Sequence, residues 1–139
     1  MDNSSNSELE RELIEQLELA TKDLFWLSEA EYPVQVIYWQ NANDFNLNML
    51  LQRYSYPPGT KIVIQELASF FATATTAQEW HNQTEQTEVK KYHDLLALLR
   101  KNLLNIKVYL LGEIEIDACI VGRTKHNAIA GVTTKIIST

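Results

Sequence analysis

Apolar positions recur at steps of three and four through the first part of the chain: Leu9, Leu13, Leu17, Ala20, Leu24 and Leu27. That spacing paints one stripe on a helix and predicts an amphipathic α-helix over about Glu8 to Phe25. Ser7-Glu8-Leu9-Glu10 reads as its capping box, with Ser7 as the cap and Glu10 reaching back. "SEAEYP" ends it, because Pro33 drives Tyr32 out of helical geometry. The period then falls to two. In "VQVIYWQ", Val34, Val36 and Tyr38 share one face while Ile37 and Trp39 share the other, which predicts a strand covered on both sides. "FNLNMLLQRY" fits a short helix and Tyr56-Pro57-Pro58-Gly59 a turn. "KIVI" fits a short strand, and "QELASFFATA" one or two helical turns.

Thr76-Ala77-Gln78-Glu79 is a second capping box, which places Trp80 on the first turn of a helix. Val89, Tyr92, Leu96, Leu99 and Leu103 mark a long amphipathic helix from about Glu85 to Lys101, closed by Asn102 and Asn105. The last third reads as strand. "IKVYLLGEIEIDACIVGRT" alternates Glu113, Glu115 and Asp117 against Ile114, Ile116 and Ala118, with Gly112 as a bulge or turn. "HNAIAG" offers a loop and "VTTKIIST" a final strand that runs almost to the last residue. Helices early and strands grouped late predict an α+β fold rather than a doubly wound parallel sheet. Residues 1–6 are polar and expected to be disordered, and 7–139 to form a single domain.

At 139 residues the chain suits one domain, able to bury roughly 68–70% of its unfolded surface. The net charge of −6 argues against direct nucleic-acid binding, which needs clustered Lys and Arg, and suits a basic partner or plain solubility. The single cysteine, Cys119, sits in an apolar run and reads as buried filler. No signal peptide is visible at the N-terminus, and no apolar run approaches a membrane span, so the expected location is cytoplasmic.

Candidate chemistry is sparse. His81, His93 and His126 lack a second ligand at metal spacing, and no nucleotide-binding or nucleophile motif occurs. Glu113, Glu115 and Asp117 fall on one strand face by alternation. They read either as a solvated face or as a site for a hard cation, and the second option keeps a metal-dependent enzyme among the readings. Lys107, Arg123 or Lys135 is expected across from them. Trp80 has polar neighbours Glu79, His81 and Asn82, so it is either a helix-start anchor or an interface contact. By composition alone Glu29 and Glu31 are not distinguishable from any other exposed glutamate.

"SEAEYP", "SFFATATTAQEW", "VYLLGEIEID", "VG" with a following threonine, and "AGVTTKIIST" occur in that order. Together they resemble the nuclease A inhibitor family of bacterial proteins, from about Ser7 to Thr139 and most weakly across about Asn41 to Thr60. The resemblance implies a three-layer α-β-α sandwich with a mostly antiparallel sheet, similar to the pathogenesis-related-protein type. It implies a protein that is not an enzyme and has no cofactor of its own. Its partner would be a non-specific, Mg-dependent endonuclease of the ββα-metal type, bound one-to-one by an inhibitor that is a monomer when free. By the same resemblance the C-terminal Thr139 reaches the partner's catalytic Mg, Glu29 mimics the scissile phosphate, and Glu79 with Trp80 forms a second contact. Glu79 departs from the family pattern, which has aspartate there, and Ser138 replaces an acidic penultimate residue. A binding adaptor of the same fold with another partner is a further alternative, because fold does not fix function.

Overall fold

In chain order the elements are helix α1 (Asn3–Thr21), strands β1 (Phe25–Leu27), β2 (Glu31–Pro33) and β3 (Gln35–Trp39), and a 3₁₀ turn at Ala42–Asp44. Helix α2 (Leu47–Arg53), strand β4 (Ile62–Gln65) and helices α3 (Leu67–Phe71) and α4 (Gln83–Asn102) follow, and then strands β5 (Leu104–Leu111), β6 (Glu115–Arg123) and β7 (Ile129–Ile137). The computed structural model describes residues 3–27, 30–72 and 83–137.

Five strands form one antiparallel sheet in the order β3-β7-β6-β5-β4, and β1 with β2 forms a small separate hairpin. Both sheet faces are apolar because successive side chains of each strand point opposite ways. On one face Val108, Ala118, Ile120, Ala130 and Val132 meet Leu13 and Leu17 of α1 and Leu95 and Leu99 of α4. On the other, Ile37, Leu111, Cys119, Val121 and Ile129 meet Leu50 and Leu51 of α2. Helices therefore cover both faces, and the chain is a mixed α+β sandwich, as expected.

Several local readings change. α1 begins at Asn3 and ends at Thr21, whereas the stripe predicted Glu8 to Phe25. Asp23 adopts a left-handed conformation (φ 56°) that turns the chain out of the helix, so Leu24 is buried from the turn rather than from a continued helix. Ser7 lies within α1, so the expected capping box does not mark its start. The buried Glu10 carboxylate serves tertiary structure instead: it accepts hydrogen bonds from the hydroxyls of Tyr38 and, at 3.5 Å, Thr124. Asn102 ends α4, with its side-chain amide donating to the Leu98 carbonyl at 2.9 Å, but Asn105 lies beyond the helix. There its positive φ (53°) forms the register shift of β5 between Leu104 and Lys107. β7 begins at Ile129, inside the stretch expected to be loop. Glu113 lies in the turn ahead of β6 rather than on the strand, and Ile114, expected on the core side, is 62% exposed. The second capping box, Thr76 to Glu79, falls outside the described residues.

Candidate functional site

The four residues expected to carry partner binding, Glu29, Glu79, Trp80 and Thr139, all lie outside the described residues. The described elements on either side of them converge on one end of the sandwich. β7 starts at Ile129, opposite Arg123 of β6, and finishes at Ile137, opposite Glu115, so the turn between β5 and β6 stands beside its final residue. β3 runs antiparallel to β7 with Gln35 opposite Thr133, so the chain before β3 follows β7 towards that same end. The hairpin of β1 and β2 is tied there. Thr134 donates from its hydroxyl towards the Pro33 and Tyr32 carbonyls at 3.1 and 3.4 Å, and the Lys135 ammonium lies 5.9 Å from the centre of the Tyr32 ring. Leu27 pairs with Glu31, so the two strands that flank Glu29 in the sequence are described as far as these residues.

Aromatic packing fixes the hairpin to the helices that bracket residues 73–82. Trp26 stacks on Phe70 at 4.6 Å and meets Phe71 and Tyr92 edge-on at 5.9 and 5.4 Å. The Tyr92 hydroxyl donates to the Phe25 carbonyl at 2.6 Å. Such ring pairs contribute about 0.5–1.5 kcal/mol each beyond their buried area. Phe70 and Phe71 close α3, immediately before that segment, and Tyr92 stands on α4, immediately after it. Burial and the nearby Glu88 carboxylate push the Tyr92 hydroxyl well above its usual range, so it remains a donor at all physiological pH.

Glu31, Glu113 and Glu115 are exposed at this end, and Asp117 is half-buried. The register sets Lys135 opposite Asp117, one of the basic neighbours expected there. The Tyr56 hydroxyl donates to Asp117 Oδ2 at 2.7 Å, with the Glu115 carbonyl oxygen 3.2 Å away. Burial first, then the Asp117 bond, raises the Tyr56 hydroxyl above its usual range. With Glu113 in the turn and Asp117 engaged by Tyr56, the three carboxylates do not form the strand-face ladder that a cation site required. Among the described residues no group of three or more His, Cys, Asp or Glu is placed to hold a metal ion.

Two other features have structural uses. A depression lined by Glu10, Leu13, Gln16, Asn102, Thr124 and His126 lies at the opposite end of the sheet, and its buried carboxylate is already engaged by Tyr38 and Thr124. Cys119 is fully buried against α2, and burial pushes its thiol up to about 12. The nucleophile is the thiolate, so a raised pKa leaves it almost absent at neutral pH. Iodoacetamide at pH 8 is expected to label the native chain roughly a hundredfold or more slower than the urea-unfolded chain. Equal rates would show that Cys119 is accessible.

The hairpin and its Trp26 anchor were missed in the sequence. Their signal was the run Phe25-Trp26-Leu27, rich in aromatic residues that favour strands, followed by a short polar connection. A family model described as nuclease A inhibitor-like protein matches residues 11–139. No curated protein is similar enough to the chain to match it.

Proposed function

The chain belongs to the nuclease A inhibitor-like family, and on that premise we propose that it binds one-to-one to a Mg-dependent, sugar-non-specific ββα-metal endonuclease and blocks its active site. In this reading it acts in the cytoplasm as an inhibitor rather than an enzyme, and the metal is the partner's. Such a nuclease grips a phosphate with basic groups and a Mg²⁺ that keeps positions open for oxygen ligands. An inhibitor must deliver hard oxygens to that position from a rigid support. Thr139 offers a hydroxyl and a carboxylate two residues beyond β7, a strand paired with β3 as far as Thr133 and with β6 as far as Ile137. Glu29 supplies negative charge where the phosphate belongs, and Glu79 and Trp80 grip the rim. The observation that carries the reading is the family match over residues 11–139. The convergence of the described elements flanking all four residues on one end of the sandwich supports it.

Titrating a ββα-metal endonuclease with the purified chain is expected to abolish DNA and RNA cleavage at one equivalent. Full cleavage at a several-fold excess over the nuclease of the same source would contradict the proposal. Trp80→Ala is expected to weaken inhibition by roughly 2 kcal/mol or more at an unchanged melting temperature. A lower melting temperature with unchanged inhibition would instead assign Trp80 to the core.

A further inference from the structure

We infer that the turn between β5 and β6, with Ile114 at its tip and Glu113 and Glu115 on either side, is a further contact that seats on the basic, phosphate-gripping rim of the inhibited nuclease. The inference rests on the inhibitor reading and extends the interface beyond Glu29, Glu79, Trp80 and Thr139. Three observations carry it. Ile114 is 62% exposed, a large apolar side chain offered to solvent from the tip of a turn. The turn is continuous with the proposed interface, because Glu115 lies directly opposite Ile137, two residues before Thr139. It is also held in one shape. Gly112 turns the chain at φ 98°, where a Cβ would stand 2.7 Å from the Glu115 carbonyl oxygen. The Tyr56 hydroxyl braces the far side through Asp117 Oδ2 and lies 3.2 Å from the Glu115 carbonyl.

A contact that loses little freedom on binding wastes little of its interaction energy, so a braced apolar tip suits an interface anchor. The charges select the partner. Both glutamates beside Ile114 are exposed, and the chain carries −6 overall. A nuclease must surround its cleft with Lys and Arg to hold nucleic-acid phosphates, and an acidic collar around an apolar tip complements that surface and speeds encounter. A second copy of this chain would present the same acidic collar and repel it.

The test measures inhibition of a Mg-loaded ββα-metal endonuclease by the wild-type chain, Ile114→Asp, Ile114→Ala and the double variant Glu113→Gln/Glu115→Gln. Ile114→Asp is expected to raise the inhibition constant roughly tenfold or more, and Ile114→Ala several-fold, with melting temperatures unchanged because the side chain is exposed. The double variant is expected to slow association and flatten its dependence on salt. If the wild type inhibits and all the variants match it, the turn is not part of the interface while the inhibitor reading stands. If the wild type fails to inhibit, both fall. A wild-type dimer that Ile114→Asp converts to monomer would assign the tip to self-association and overturn the inference.

Discussion

Deleting Thr139, or extending the chain past it with a short tag, is expected to weaken nuclease inhibition by about 2–5 kcal/mol and to leave the fold intact. That range is typical for truncating one partner of a buried, charged contact, because the metal's open position is then left without its ligand. The extension tests the same point differently: it keeps the threonine but converts its free carboxylate to an amide and adds bulk at the proposed metal contact. Stability should not follow inhibition, since β7 is paired with β3 as far as Thr133 and with β6 as far as Ile137, two residues short of the deleted position. Inhibition constants and melting curves for the three proteins check this. A tagged chain that inhibits as well as the native one would disprove the metal contact even if inhibition itself is real.

Phe71→Ala is expected to destabilise the chain by about 3–5 kcal/mol, the usual range for emptying a buried aromatic site. Phe71 is 1% exposed and meets Phe70, Tyr92 and Trp26. The consequence reaches the proposed interface, because these rings tie the β1–β2 hairpin to α3 and α4. Losing the ring that meets Trp26 edge-on is expected to loosen the hairpin and to weaken inhibition even at temperatures where the chain remains folded. Urea unfolding measures the first effect and inhibition at 10 °C the second. A loss below about 1 kcal/mol would show that the cluster does not anchor the hairpin.

Much of the sandwich is legible as periodicity. α4 announces itself by Val89, Tyr92, Leu99 and Leu103 at steps of three, seven and four, and β3 by apolar residues on both faces, which is what helices above and below the sheet require. The misreadings share a cause: a local pattern was overridden by tertiary structure. Leu24 and Leu27 continue the stripe of α1 numerically, yet Asp23 ends the helix and Leu24 is buried from outside it. Ser7 and Glu10 have capping-box spacing, but Glu10 lies inside a helix that starts at Asn3 and serves Tyr38 and Thr124, distant in sequence. Glu113 continues the alternation of Glu115 and Asp117, but Gly112 bends the chain and leaves it in a turn.

The candidate site was legible only through resemblance. Nothing in the composition around Glu29 separates it from Glu31, and Thr139 is an ordinary strand-flanking threonine by pattern alone. Their proposed chemistry depends on a partner's metal, and a metal held by another molecule leaves no ligand spacing in this chain. What physical reasoning adds is placement. The pairing of β7 with β3 and β6, and the rings around Trp26, bring the described flanks of all four residues to one end.

The most direct measurement is a crystal structure of the one-to-one complex with the Mg²⁺-loaded nuclease. The account predicts an oxygen of Thr139 about 2.1 Å from the metal, as a direct ligand. A chain terminus standing in solvent, with water in every open position of that Mg²⁺, would contradict it.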